Sequence, residues 1–279
     1  MATGPTLPPT LGELITLEGP DGSTAQVSLR GGHVVSWRTA DGHERLFVSE
    51  RATTVGGAAI RGGIPVCFPQ FAALGPLPKH GFARTATWTR LGPCTFSLDV
   101  AADEWPGWPH RCSLVLDVLL GPATMTTMLR MFNHGTEPFS FTGALHTYLR
   151  CHDVTEVAVS GLDGCDVHGG GRIGGDIRFG DGATDVDLSV LAAPGPVRAD
   201  GLEGVGGPAM LCAQTGFRDV VVWNVGAALG AAMVDLGEGQ WHSYVCVEAA
   251  AVGEPVVVEP GASWAGSQTL VVLENVGVG

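Results

Sequence analysis

Residues 113–147 read SLVLDVLLGPATMTTMLRMFNHGTEPFSFTGALHT. Three apolar runs lie in this stretch, at 113–120, 125–133 and 139–147, and each is bounded by Gly, Pro or Asn. None of them repeats its apolar residues with the 3.6-residue period of a helix. The stretch therefore predicts consecutive short β-strands joined by turns.

The same pattern extends outward along the chain. Further strand-like runs occur at 219–225, 244–249 and 268–274, and 42 Gly and 18 Pro punctuate the 279 residues throughout. Many short strands in one chain are typical of a large antiparallel sandwich. We therefore predict an all-β fold.

Two glycine-rich segments, 161–182 and 194–208, resemble linkers in composition. Charged and apolar residues alternate within the first, however, and hydrophobic strands follow both. We therefore expect one domain spanning residues 1–279, with residues 1–12 as a frayed end.

Charge and hydropathy exclude several classes of partner. Asp plus Glu number 28 against 15 Lys plus Arg, which gives a net charge of −13 that repels nucleic acid and anionic membranes. The N-terminus has no basic leader or apolar h-region, and nowhere do eighteen apolar residues run together. We expect a soluble, cytoplasmic protein that binds neither nucleic acid nor membrane, with a monomer as its oligomeric state.

The cysteines are odd in number and have no C-x-x-C spacing, which argues against a disulfide framework or a structural zinc site. We expect buried, reduced thiols. They are Cys67, Cys94, Cys112, Cys151, Cys165, Cys212 and Cys246.

The segment 60–88, IRGGIPVCFPQFAALGPLPKHGFARTATW, concentrates polar chemistry in a setting of Gly and Pro. Two interpretations of its arginines stay open. They are solvated or paired with carboxylates, as surface arginines usually are, or they bind an anion such as a phosphate ester, which the acidic protein would otherwise repel. The candidate residues are Arg61, Gln70, Lys79, His80 and Arg84.

His146 and Glu248 are the candidate acid and base. His146 follows the apolar run FSFTGAL, where a lone histidine is often a satisfied core residue. Glu248 lies in the apolar strand YVCVEAA, where desolvation would raise its pKa toward the range useful for a general base.

Metal binding is an alternative function for some of the same residues. His80, His146, His152 and Glu248 form a conceivable two-histidine, one-carboxylate set, but no H-x-H or H-E-x-x-H spacing supports it. Phosphate-binding G-x-x-x-x-G-K-S/T and nucleophile-elbow G-x-S-x-G motifs are absent from the sequence.

Taken in order, seven segments resemble the hexose-6-phosphate mutarotases, or glucose-6-phosphate 1-epimerases, of the aldose 1-epimerase superfamily. The resemblance covers residues 10 to 275. It is carried by IRGGIPVCFPQF, LPKHGFAR, GALHTYL, VSGLDG, VVVWNVG, YVCVEAA and PGASWAGSQTL.

This resemblance implies a large antiparallel β supersandwich of the galactose mutarotase type, a sugar bound in an open cleft, and no metal or organic cofactor. It implies that His146 is the general acid and Glu248 the general base of sugar-ring opening. His80 corresponds to a second histidine that contacts the substrate, and Arg61 and Arg84 correspond to positions that bind phosphate. The implied activity is anomer interconversion of a hexose 6-phosphate.

Other positions are less well defined by the resemblance. Gln70 in the first motif is a candidate substrate contact. Lys79 replaces a common Gln and adds a cation near the implied phosphate pocket. After VSGLDG the chain departs from the family pattern, so the substrate-contacting aspartate is either Asp163 or Asp166.

Two other functions remain open. A mutarotase for unphosphorylated aldoses would share the acid and base without needing Arg61 and Arg84. A carbohydrate-binding protein without catalysis would share only the fold.

Overall fold

A computed structural model describes residues 7–204 and 207–273 of the chain. Its secondary structure is almost entirely antiparallel β. Within the described residues the strands are β1 (Leu14–Glu18), β2 (Thr24–Ser28), β3 (His33–Arg38), β4 (Val66–Cys67), β5 (Thr89–Arg90), β6 (Thr95–Val100), β7 (Cys112–Gly121), β8 (Thr124–Asn133), β9 (Phe139–Leu145), β10 (Tyr148–Arg150), β11 (Ala158–Ser160), β12 (Ile177–Arg178), β13 (Val186–Val190), β14 (Val197–Asp200), β15 (Ala209–Thr215), β16 (Asp219–Asn224), β17 (Tyr244–Val258) and β18 (Ser263–Leu273).

Helical structure is confined to short segments. The α-helix α1 spans Gly226–Gly230, and 3-10 turns occupy Val55–Gly57, Ala83–Thr85, Val154–Glu156 and Gln240–Ser243. No helix in the described ranges is both long and apolar enough to cross a membrane.

The strands form three sheets. The largest has the order β12-β11-β14-β15-β18-β8-β7-β6-β5, and a six-stranded sheet has the order β13-β16-β17-β9-β4, with β10 pairing beside β17. The order β1-β2-β3 makes the third. The prediction of an all-β antiparallel sandwich is confirmed.

Most predicted strands agree with the observed bounds to within two residues. The run at 113–120 became β7 and the run at 125–133 became β8. The run at 139–147 ends at Leu145, so that His146 follows the strand rather than lying within it. The runs at 244–249 and 268–274 were predicted too short, because β17 continues to Val258 and β18 begins at Ser263.

Side-chain alternation along β17 sets the two faces of the six-stranded sheet. Val245, Val247 and Ala249 belong to the main hydrophobic core, which also contains residues of the nine-stranded and three-stranded sheets. The residues between them, Cys246 and Glu248, therefore point to the opposite face. That outer face carries the polar site described below.

The glycine-rich segments are parts of the sheets rather than linkers, since they supply β12 and β14 of the nine-stranded sheet. The assignment of one domain stays a prediction. Leu11, in the stretch expected to fray, is 1% exposed and packs with Val35 and Ile60. Fraying is therefore not observed at Leu11, while residues 1–6 lie outside the described ranges.

All seven cysteines are free, as expected. Five of them are buried, whereas Cys94 and Cys165 are half-buried, so complete burial was wrong for these two.

Candidate active site

A cavity of about 320 Å³ lies on the outer face of the six-stranded sheet. This volume is within the range of small-molecule sites. Its walls come from β13, β16 and β17, from the 61–84 segment, and from the α1 region. The lining residues are Arg61, Phe71, Ala72, Lys79, His80, Arg84, His146, Asp185, Asp187, Val221, Trp223, Val225, Leu229, Met233 and Glu248.

His146 and Glu248 meet at the floor of this cavity. The distance from His146 Nδ1 to Glu248 Oε1 is 3.2 Å, and the two side chains are 8% and 1% exposed. The angles at this contact are not those of a hydrogen bond. As a result, His146 Nδ1 and both Glu248 oxygens have no hydrogen-bond partner among the described residues. Buried polar atoms without partners are rare and costly, so this pair is arranged to meet a ligand.

Burial shifts the two groups in opposite directions. Desolvation raises the pKa of Glu248 well above its ordinary value, and the charge of Asp187 adds to this effect. Desolvation lowers the pKa of His146 well below its ordinary value, and His80, Arg61 and Arg84 lower it further. Each shift disfavours the charged form of its own side chain, the carboxylate of Glu248 and the imidazolium of His146.

Aromatic rings fix the orientation of His146. Its imidazole stacks on Tyr148, with centroids 4.9 Å apart and planes inclined by 10°. Trp223 meets the same ring edge-on at 5.7 Å. The backbone N–H of His146 donates to Pro65 O at 3.0 Å, which ties this position to β4.

His80 enters the cavity from the 61–84 segment, and its ring lies 5.4 Å from that of His146. The backbone N–H of Ala72 donates to His80 Nδ1 at 3.2 Å. Burial lowers the pKa of His80 to about 3, and Arg84 and Lys79 contribute. A neutral imidazole that accepts at Nδ1 carries its proton on Nε2, so His80 is a hydrogen-bond donor through Nε2.

The backbone around His80 is unusual. His80 has φ of 67° and Gly81 also has φ of 67°, so two consecutive residues adopt the left-handed region. A Cβ on Gly81 would lie 2.1 Å from Phe68 O. Only glycine fits here, and this tight turn is what directs the His80 ring toward the cavity.

Arg61 is held by an acidic and a phenolic partner. Its Nε and Nη2 donate to Asp235 Oδ2 at 3.1 and 3.0 Å, and its Nη1 donates to Tyr148 Oη at 3.0 Å. Burial alone lowers the pKa of Arg61, but Tyr148 and Asp235 outweigh it and raise the pKa. Both interpretations of this arginine thus have a basis, since it is paired and also lines the cavity.

Arg84 and Lys79 are less constrained. Arg84 Nη2 donates to the Lys79 carbonyl at 2.8 Å, while its buried Nε has no partner in the described part of the chain. The Lys79 side chain is exposed at the cavity rim. Together they place two cations beside the acid–base pair.

Asp185 and Asp187 line the cavity although they were not predicted. Asp187 is exposed toward the cavity, and desolvation by the surrounding protein raises its pKa, with the charge of Asp185 adding to the effect. The signal was present in the sequence TDVDLSV, because residues two apart on a strand share a face. The sequence does not show that β13 pairs with β16, so this pattern alone did not place the two aspartates in a cavity.

Three predicted substrate contacts lie elsewhere. Gln70 braces the loop: its Nε2 donates to Ala72 O and Leu77 O, and its Oε1 accepts from Leu77 N at 2.8 Å. Asp163 accepts from the exposed backbone of Gly175, and Asp166 pairs with an exposed arginine, Arg172. None of the three lines the cavity.

The conceivable metal set of the sequence is not assembled. His152 lines a separate cavity of about 690 Å³ together with Arg45 and Glu203. In that larger cavity Arg45 pairs with both Asp41 and Glu203. A different trio is assembled instead: the ligand atoms of His146, Cys246 and Glu248 lie within 4.8 Å of one another.

Comparison with known proteins identifies relatives of this chain. Residues 13–177 match the aldose 1-epimerase family. A protein of Cenchrus ciliaris, named a candidate glucose-6-phosphate 1-epimerase, is 34% identical over 276 residues, covering 91% of this chain and 83% of its own. A protein of Escherichia coli K12 with the same name is 32% identical over 266 residues, covering 87% and 84%.

Solved structures show the same fold. A candidate mutarotase from Salmonella typhimurium superposes with a TM-score of 0.81 at 27% identity, covering 94% of this chain and 90% of its own. A galactose mutarotase related enzyme from Lactobacillus acidophilus superposes with a TM-score of 0.72 at 13% identity, covering 95% and 99%, and shows the fold alone. The predicted galactose mutarotase-like sandwich is confirmed.

Proposed function

Since this chain belongs to the aldose 1-epimerase family, we propose that it is an isomerase that interconverts the α and β anomers of a hexose 6-phosphate. Glucose 6-phosphate is the substrate that the names of the relatives indicate. The observation that carries this proposal is the contact between His146 and Glu248, whose buried polar atoms lack protein partners beside cationic side chains.

Ring opening needs one proton removed and one delivered. Glu248 accepts the proton of the anomeric hydroxyl while protonated His146 donates to the ring oxygen. The bond between the anomeric carbon and the ring oxygen breaks, and the anomeric carbon becomes an aldehyde. Rotation about the adjacent carbon–carbon bond exposes the other face of the carbonyl, and the reverse proton transfers close the ring as the other anomer.

The shifted pKa values suit this exchange. A pair that holds one proton in total is neutral overall, either as imidazolium with carboxylate or as imidazole with carboxylic acid. Ring opening converts the first arrangement into the second, and closure restores it. Because burial raises the pKa of Glu248 and lowers that of His146, the opened-ring arrangement is stabilised by the dry site.

Phosphate recognition falls mainly to Arg84 and Lys79. Arg84 has an unpartnered buried Nε, and guanidinium groups bind phosphate through charge-assisted hydrogen bonds. Lys79 adds a mobile point charge at the rim. In a protein with net charge −13, these local cations are what offsets the repulsion of a phosphate ester.

The sugar hydroxyls have a donor and an acceptor available. His80 can donate a hydrogen bond through Nε2–H, because its Nδ1 accepts one from the backbone N–H of Ala72. Asp187 supplies a carboxylate acceptor in the cavity. The sequence had suggested Asp163 or Asp166 for this role. These contacts hold the ring in register with the acid–base pair.

The test uses pure α-glucose 6-phosphate and polarimetry against the spontaneous rate. We expect accelerated approach to the anomer equilibrium, with glucose accelerated less. Equal acceleration of both sugars would favour an aldose mutarotase. Sugar binding without acceleration would favour a carbohydrate-binding protein without catalysis.

A further inference from the structure

We propose that His146, Cys246 and Glu248 form a three-ligand site for Zn²⁺, and that the bound ion inhibits the enzyme. The ion is an inhibitor and not a cofactor, because it occupies the groups that the ring chemistry needs. The inhibition rests on the proposed function, whereas the metal site does not.

The first support is the choice of donors. An imidazole nitrogen, a thiolate and a carboxylate oxygen are the three kinds of ligand that Zn²⁺ takes in proteins. Cys246 and Glu248 lie two apart on β17, so their side chains share a face, and His146 follows the neighbouring strand β9. Three ligands and an open fourth position are typical of accessible zinc sites.

The second support is distance. With metal–ligand bonds of about 2.0–2.3 Å, the ligand atoms of a tetrahedral zinc lie about 3.3–3.7 Å apart. His146 Nδ1 and Glu248 Oε1 are 3.2 Å apart, and all three ligand atoms fall within 4.8 Å of one another. Side-chain movements of about 1 Å therefore close the remaining gap to the ion.

The third support is that the ligand atoms of His146 and Glu248 make no hydrogen bond within the described residues. His146 Nδ1 and both oxygens of Glu248 have no hydrogen-bond partner among the described residues, although the two side chains are more than nine-tenths buried. A cation would satisfy them without breaking an existing bond. The pair alone would bind many cations weakly; the thiolate is what selects a soft or borderline ion over Mg²⁺.

Binding of Zn²⁺ at this site releases two protons. A cysteine thiol is mostly protonated at neutral pH, so Cys246 carries its proton before the metal binds. Binding of Zn²⁺ displaces the thiol proton and the single proton of the His146–Glu248 pair, and both pass to water. The ion then occupies the lone pairs of His146 and Glu248 that would otherwise take up the protons exchanged with the substrate.

Titration of the purified protein with Co²⁺ tests the metal site directly. We expect one equivalent to give a near-ultraviolet thiolate-to-cobalt band that Zn²⁺ abolishes and Mg²⁺ does not. Cys246→Ala removes the band, while Cys212→Ala, at a buried cysteine of the nine-stranded sheet, retains it. Glu248→Gln, which keeps the thiol, weakens Co²⁺ binding by more than about tenfold, since even outer-shell partners contribute about 10- to 100-fold.

Absence of the band in the wild-type protein, or its persistence in Cys246→Ala, overturns the metal site. For the inhibition, anomer exchange is measured with Zn²⁺ or Mg²⁺. We expect Zn²⁺ alone to inhibit, and Cys246→Ala to need more than about tenfold more Zn²⁺ for the same effect. Zinc that binds without inhibiting an active enzyme overturns the inhibition. A cobalt band in a protein without anomerase activity leaves the metal site intact and refutes the proposed function instead.

Discussion

The guanidinium of Arg61 donates from both Nε and Nη2 to a single oxygen of Asp235, at 3.1 and 3.0 Å. Its third nitrogen donates to Tyr148, the ring on which His146 stacks. Arg61 is therefore already neutralised, and it braces the aromatic support of the proposed acid. This arrangement gives Arg61 and Arg84 different roles, although the resemblance assigned both to phosphate.

Arg84→Ala should weaken substrate capture. We expect KM for glucose 6-phosphate to rise by about 10- to 100-fold, corresponding to about 1.5–3 kcal/mol for hydrogen bonds to a charged group, with kcat nearly unchanged. Steady-state anomerisation kinetics with glucose 6-phosphate and glucose measure this, and the effect should be absent for glucose.

Arg90→Ala is the matched control, because Arg90 is exposed on β5 and donates to the carbonyls of Gly92 and Pro93 outside the cavity. Its KM should stay at the wild-type value. Equal KM changes in the Arg84 and Arg90 variants would refute phosphate recognition by Arg84.

Asp187→Asn should move the pH–rate profile toward acid. The charge of Asp187 raises the pKa of Glu248, so its removal lowers that pKa. Both limbs report the coupled His146–Glu248 pair and should shift in the same direction. The measurement is kcat across pH, where recognition of the phosphate affects the result least.

Asp185→Asn serves as the comparison for this shift. Asp185 lines the same cavity but is not among the groups that shift the pKa of Glu248. A shift as large in Asp185→Asn as in Asp187→Asn would show that general cavity charge, and not the position of Asp187, sets the profile.

Glu248→Gln should stabilise the fold while lowering activity by about 10²–10⁴-fold. The folded-state pKa of Glu248 is raised, so its contribution to stability is fully present below the unfolded value of 4.5 and is lost as pH rises through the folded pKa. The neutral amide avoids this loss. At pH 8 we expect a Tm about 2–4 °C above wild type for each kcal/mol recovered, with a smaller gain at pH 4.

Thermal unfolding at the two pH values checks this prediction. A Tm below wild type at pH 8 would mean that the ionised carboxylate is stabilised in the fold. That result would contradict the dry environment inferred from the 1% exposure of the side chain.

Local signals in the sequence were sufficient for most of the strands, whereas the acid and base roles of His146 and Glu248 stay a prediction that rests on the resemblance. Apolar runs bounded by turn residues located β7 and β8, because these strands are regular and are neighbours both in sequence and in the sheet. Glu248 is conspicuous because a carboxylate between Val247 and Ala249, in an apolar strand, has no solvent to stabilise its charge. The contact to His146 rested on motif order, since a hundred residues separate the two.

Long-range geometry accounts for what the sequence did not predict. Asp187 reaches the cavity through the pairing of β13 with β16, and that pairing has no local signal. Gln70 has a polar side chain of the kind found in binding sites. Its amide group, however, is hydrogen-bonded to the backbone of Leu77 in the loop that it braces. The partner of Arg61, Asp235, is 174 residues away in sequence.

In the proposed reaction His146 and Glu248 act as one acid–base unit. Exchange NMR on glucose 6-phosphate at equilibrium measures α-to-β interconversion directly, in wild type, His146→Asn, Glu248→Gln and the double variant. We expect each single variant to lose about 10²–10⁴-fold and the double variant to lose little more. Interconversion at the wild-type rate in either single variant would contradict the account.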